Sequence, residues 1–358
     1  MEKRNLLDYT GQHIYVGIDT HNHNWRTSIF TEHFEHKTFT QDPDPDILVN
    51  YLHRNFPGAT YHAAYEAGYC GFWIHEALTA RGIDCIVINP ADVPTKDKER
   101  KRKNNRIDAR KLARSLKNGD LEPIYVPDRV ALEDRSLIRA RRNAIKDQTR
   151  YKNRIKALIR FYGIQLPAQF DKRNWSGAFI HWLEHVAFVR PSGKQSFQFY
   201  IDQLKRLRRQ VAELNRQIRK LAQEDRYRER VNRLKTIPGV GTITAMILLT
   251  ELVEIARFKT ADQLASYIGL IPGERSSGHD EDENYTDITP RSHHYLRSIL
   301  VECAWVAVRK DPALALCYTK LLQRMISQKA IIRIARKLLN RIRYVLRTNQ
   351  DYVLAVVQ

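Results

Sequence analysis

Residues 13–20 read His13-Ile14-Tyr15-Val16-Gly17-Ile18-Asp19-Thr20, an apolar run that closes on an acid. Such a run predicts a central β-strand, and because a carboxylate normally avoids burial, Asp19 at its end predicts the rim of a site. The stretch ATYHAAYEA over 59–67 repeats the pattern and predicts a second strand ending at Glu66. Neighbouring strands would bring the two acids face to face, an arrangement tolerated chiefly when a divalent cation neutralises both. Asp108 would join them from the start of the next helix, IDARKLARSLKNG, expected to stop at Gly119. Each acid taken singly reads as a cap or a solvated turn residue. Their combination matters because Mg²⁺-assisted phosphoryl transfer needs hard oxygen ligands converging on a phosphate.

Outward from these strands, WRTSIF predicts another strand, 45–54 a polar helix, FWIHEALTARG a helix and DCIVINP a strand, so residues 1–127 are expected to form an α/β domain. Two long helices follow. Leu137, Arg141, Ala144, Gln148, Tyr151, Ile155, Leu158 and Tyr162 step by four and three with a polar seam at 141 and 148. Tyr200, Leu204, Leu207, Val211, Leu214, Ile218 and Leu221 keep a cleaner alternation. The expected architecture over 128–230 is a helical coiled-coil arm, or alternatively a long helix pair inside one core. From 231 to 358 the composition predicts a mainly helical C-terminal domain.

With 60 Lys and Arg against 40 Asp and Glu, the chain carries a formal charge of +20. That excess favours a polyanion, because neutralised phosphates release condensed counterions. The segment KDKERKRKNNRIDAR, 96–110, holds eight Lys or Arg and leads straight into Asp108. Its cations Lys101, Arg102, Lys103, Arg106 and Arg110 could hold a phosphate backbone, or simply line a solvated loop. Residues 135–160 add ten Lys or Arg against the single acid Asp147, an excess suited to a duplex or a structured RNA. The four cysteines lack paired spacing, which argues against a zinc knuckle or a disulfide scaffold and fits a reducing cytosol. No segment reads as an export signal or a membrane span, so a cytoplasmic location is expected.

In TIPGVGTITA, Gly239 and Gly241 flank Val240 between two helix candidates, as in a helix-hairpin-helix module whose backbone N–H groups approach a phosphate. An ordinary tight helix-helix turn is the alternative. Ser276-Ser277-Gly278 lies in an expected loop; a serine hydroxyl becomes a nucleophile only when a base, a metal or cations activate it.

Together, YVGIDT, YEAG, RIDARKLARSLKNGDLEPIYVPD, IPGVGTITA, FKTADQLASYIGLIPGERSSG and ITPRSHHYLRSILVECA resemble the RuvC-fold, DEDD-type transposases of the insertion-sequence family numbered one hundred and ten, relatives of the Piv DNA invertase. The resemblance spans nearly the whole chain. It implies a RuvC/RNase H-like nuclease domain with Asp19, Glu66 and Asp108 as Mg²⁺ ligands, a coiled-coil arm, and a transposase domain in which Ser277, rather than Ser276, attacks the phosphodiester. It further implies a covalent phosphoserine intermediate, a structured bridge RNA that chooses target and donor DNA, and homodimers pairing into a homotetramer.

Three departures stand out. Asn105 occupies the position of an acid in the metal set; it shares a helical face with Asp108, but an amide offers only a neutral carbonyl oxygen, so metal affinity should fall. Asp97 could compensate. The run 279–283 is acidic where relatives are more often basic, and Pro290 replaces a common Lys, leaving Arg291 and Arg297 as the expected phosphate contacts. The competing readings are a hydrolytic junction nuclease, in which water attacks, and a nucleic-acid-binding protein with a weakened site.

Overall fold

The structure, a computed structural model, describes residues 8–94, 105–170, 174–273, 286–288 and 292–354. Its contacts divide the chain into two units that meet in sequence at Val126 and Pro127.

The first unit is built on five strands: β1 (His13–Thr20), β2 (Trp25–Phe30), β3 (Glu35–Gln41), β4 (Thr60–Glu66) and β5 (Asp84–Ile88), in the order β3-β2-β1-β4-β5. The first three strands pair antiparallel, whereas β4 and β5 run parallel to β1. Parallel neighbours need crossovers, and helices α1 (Pro45–Asn55) and α2 (Trp73–Thr79) supply them. The Asp44 carboxylate accepts from the Asp46 N–H at 2.8 Å and caps α1, with Pro45 fitting its first turn. β3 was not anticipated: its sequence, EHKTFTQ, is polar because it lies at the sheet edge.

Because strand side chains alternate, Ile14, Val16 and Ile18 enter one core with Leu48, Leu52, Ile74 and Leu78 of α1 and α2. The opposite face carries Tyr15, Gly17 and Asp19, and is covered by α3 (Asn105–Lys117). Gly17 is required there. A Cβ on it would lie 2.2 Å from the Ala109 carbonyl oxygen and 2.4 Å from the Ala113 nitrogen. The Arg114 guanidinium lies 6.0 Å from the centre of the Phe30 ring, and Phe30 pairs with Tyr15 near the start of β1. Helix α3 therefore crosses β1 at Gly17, with Ala109 and Ala113 both resting on that residue. This mixed sheet matches the expected α/β class.

The second unit is mainly helical. Helices α4 (Arg129–Phe161) and α6 (Pro191–Leu221) lie antiparallel, with Arg141 Nε donating to Asn215 Oδ1 at 2.6 Å and the Tyr151 ring 6.1 Å from Tyr200. Between them in sequence, α5 (Gly177–Glu184) caps a local core of Ile155, Ile159, Phe197, Ile201 and Leu204. The middle of the pair is thinly packed: Leu207, Val211 and Leu214 are only half-buried.

Next come α7 (Arg228–Lys235), α8 (Thr242–Leu252), α9 (Ala261–Ile268), the short strands β6 (Pro272–Gly273) and β7 (Thr286–Ile288), and α10 (His294–Lys310), α11 (Pro312–Leu322) and α12 (Ser327–Thr348). The apolar stripe of α12 (Ile331, Ile334, Leu338, Ile342 and Val345) shares one core with Ile138 of α4 and with α8 and α10. Arm and C-terminal helices fall within one unit that holds both this core and the local one around Ile155 and Phe197. Among the described residues no helix is long and apolar enough to cross a membrane.

Candidate active site

Strand register decides which acids meet. Gly17 pairs with Ala64 and Ile18 with Tyr65, so Asp19 and Glu66 occupy equivalent positions at the ends of adjacent parallel strands. Parity places both on the face that Gly17 presents to α3. Asp108, half-buried in the first turn of α3, directly precedes the Ala109 that rests on Gly17. Asp19 and Glu66 are therefore carried to one face and one end of the sheet, and Asp108 adjoins a residue packed on that face. Among the described residues, however, no three His, Cys, Asp or Glu side chains are gathered closely enough to form a ready ligand set. Asn105 and Arg106 open α3, but their side chains lie outside the described ones.

The surroundings of Asp19 add groups that sequence reading missed. Its Oδ2 is 3.2 Å from His21 Nε2, and across the antiparallel pair it faces Arg26. The Tyr69 hydroxyl donates to the Thr20 carbonyl at 3.1 Å. The Tyr69 pKa is raised, first by burial of that hydroxyl and then by the charges of Cys70 and Asp19. Arg110 pairs with Glu35 of β3 at 2.5 Å. Lys101, Arg102, Lys103 and Asp97 lie outside the described residues.

In the second unit, α9 ends at Gly269 in the left-handed region (φ 81°), where a Cβ would overlap Ser292 at 2.1 Å. The chain leaves this junction through β6 and returns through β7, whose backbones pair at Pro272–Ile288 and Gly273–Thr286. Ser276, Ser277, Pro290 and Arg291, and the acidic run 279–283, belong to the intervening and following segments outside the described residues. Arg297 stands at the junction, its Nη1 3.3 Å from the Cβ position of Gly269 and its Nη2 2.7 Å from His294 Nδ1.

Beneath this junction lies Glu251, 1% exposed. Arg139 donates to both its oxygens, at 3.0 and 2.8 Å, and Arg135 Nε lies 3.7 Å away. His293 accepts at Nδ1 from the Leu296 N–H, so Nε2 bears the proton directed at Glu251 Oε2, 3.2 Å away. Burial alone would raise the Glu251 pKa; the hydrogen bonds from His293 and Arg139 outweigh it and hold the carboxyl down at about 2. The signal was a lone acid inside TITAMILLTEL, an otherwise apolar helix.

Gly239 adopts φ 90° in the turn between α7 and α8, and a Cβ there would lie 2.5 Å from the Cys303 carbonyl oxygen. Its glycine is thus required by packing against α10. Gly241, the residue before α8, has open space where a Cβ would be.

A mixed sheet with acids at the ends of its parallel strands, followed by a mainly helical remainder, is consistent with a DEDD, RNase H-like transposase. Comparison with known families agrees: residues 16–164 match the transposase model for the DEDD domain of IS110-type elements, and residues 231–319 match the model described as "Transposase IS116/IS110/IS902 family". Two separate stretches of the chain are thus similar to IS110-type transposase domains. It is 32% identical over 241 residues to protein y4qE of Sinorhizobium fredii, a match covering 67% of this chain and 57% of that protein. It is 28% identical over 196 residues to the transposase for insertion sequence element IS1533 of Leptospira borgpetersenii, covering 53% and 54%. With the transposase for IS1111A of Coxiella burnetii it shares 24% identity over 267 residues, 74% of this chain and 71% of that one. The matched length is thus little more than half of the first two relatives.

Proposed function

We propose that this chain is the recombinase of an IS110-type insertion sequence, cutting and rejoining DNA through a phosphoserine link at Ser277. The observation that carries the reading is the placement of Asp19 and Glu66 at equivalent ends of adjacent parallel strands, beneath the first turn of α3. This donor chemistry, oxygen only, fits a hard divalent cation such as Mg²⁺, with Asp19, Glu66 and Asp108 as its holders and the Asn105 carbonyl as a weaker fourth. When bound, that cation would stabilise charge on the phosphate oxygens. The hydroxyl of Ser277 displaces a deoxyribose hydroxyl at phosphorus. The resulting ester retains the energy of the broken bond, so the hydroxyl of another strand can reverse the exchange without ATP.

The formal +20 supports a polyanionic partner, with target and donor DNA and a structured guide RNA as the proposed ones. The α4–α6 arm, thinly packed at its middle, is proposed as the contact between subunits of a dimer that pairs into a tetramer. Asn105 favours one competing reading, a nucleic-acid-binding protein with a weakened site.

The test is a denaturing gel of protein incubated with DNA, copurified RNA and Mg²⁺. A protein-linked DNA band that disappears in Ser277→Ala and in Asp19→Asn, while DNA binding persists, is the expected result. Cutting that survives Ser277→Ala without any linked band would replace this reading with hydrolysis by water.

A further inference from the structure

A cavity of about 360 Å³ opens beside the acid ends of β1 and β4. Its walls come from His21 and Asn22, which follow Asp19, from Trp25 of β2, from Pro43, and from Tyr69 and Trp73, which follow Glu66. The volume lies toward the lower end of the roughly 300–1,000 Å³ typical of small-ligand sites. Two of its aromatic rings are left in contact with water: Tyr69 is 65% exposed and Trp73 45% exposed. Trp73 is held by Trp25, a buried ring whose centroid is 5.8 Å away. Tyr69 is held by its hydroxyl, bonded to the Thr20 carbonyl one residue past Asp19. The rings are therefore positioned, not trailing in solvent, and offer apolar faces beside the acid ends of β1 and β4.

Planar walls with polar atoms from His21 and Asn22 suit a flat heterocycle carrying hydrogen-bonding edges. We infer that this cavity receives an unstacked nucleobase of the DNA strand, next to the phosphodiester held at Asp19 and Glu66, with Trp73 and Tyr69 as its stacking surfaces. The inference rests on the proposed function for the position of the phosphate. Every base has a π-face, so the cavity accepts any sequence by stacking, while His21 and Asn22 would grade the preference. A base paired within a duplex cannot enter it, so the strand must be open at that nucleotide.

The test measures binding without divalent cation, so that DNA stays intact, using three probes: a 12-nucleotide oligothymidylate, an abasic strand of the same length, and the matching oligouridylate. Trp73→Ala should weaken oligothymidylate binding at least about fivefold, as loss of one base–aromatic stack implies, and abasic binding less than about twofold. Trp73→Phe should restore most of the loss. Tyr69→Ala, at a still more exposed position, should repeat the pattern and guards against a folding defect in the Trp73 variant. Equal losses on thymidylate and abasic strands, or no loss on either, overturn the assignment. A loss confined to oligouridylate assigns the cavity to RNA and overturns the DNA assignment. A selective loss on thymidylate in a protein that forms no serine-linked DNA keeps the cavity and removes the recombination chemistry; linked DNA with no selective loss does the reverse.

Discussion

Glu251→Gln tests whether the buried network beneath the junction of Gly269 and Ser292 is the electrostatic centre of the second unit. In the native chain the carboxyl, 1% exposed, is hydrogen-bonded by Arg139 and His293 and titrates at about 2 instead of its ordinary 4.5. A depression of that size corresponds to about 3 kcal/mol of stability, at roughly 1.4 kcal/mol per pKa unit. Removing one member of a buried charge network costs about 3–5 kcal/mol. The lower figure applies here, because the Arg139 side chain is 52% exposed and can turn to water, whereas Arg135 is only 13% exposed. For a unit of this size that loss lowers Tm by roughly 6–12 °C. The folded pKa is depressed, so the contribution is fully present above pH 4.5 and is lost as pH falls toward 2. Differential scanning calorimetry of both proteins should show a constant Tm gap above about pH 5 that narrows between about pH 4.5 and 2. A gap that ignores pH, or a Tm change under about 2 °C at neutral pH, would refute the reasoning.

Two further substitutions probe the first unit. Gly17→Ala places a Cβ 2.2 Å from the Ala109 carbonyl, so α3 must shift; we expect a loss of about 3 kcal/mol, at the upper end of overpacking costs, in urea melts of the isolated first unit if it folds alone and otherwise of the full chain. A neutral effect would mean that α3 does not rest on β1. Asn105→Asp should lower the Mg²⁺ concentration needed for half-maximal cutting, because it returns a charge to the metal set; identical Mg²⁺ titrations for the two proteins would exclude position 105 from that set.

Legibility differed between elements for identifiable reasons. β1, β4 and β5 were readable because each buries an apolar run, and β2 because Trp25, Ile29 and Phe30 mark it, whereas β3 was not, since a polar edge strand has no such signature. Arg110 lies in a basic run that reads either as a phosphate contact or as a solvated loop, and only folding revealed Glu35 opposite it. Gly239 reads either as a phosphate-facing glycine or as part of a tight helix-helix turn; its packing neighbour, the Cys303 carbonyl, lies on a helix more than sixty residues further along the chain.

From its residues alone this chain specifies four of the five sheet strands, the helical periods, the cationic excess and the acids that end β1 and β4, because burial pattern and charge are local properties of sequence. Which acids share a face was decided by parallel register and by the close approach of α3 to Gly17. The partners of Glu251 and the aromatic cavity beside Asp19 likewise arose only in three dimensions. Contacts between residues distant in sequence depend on how secondary elements pack, and local patterns carry little information about that packing.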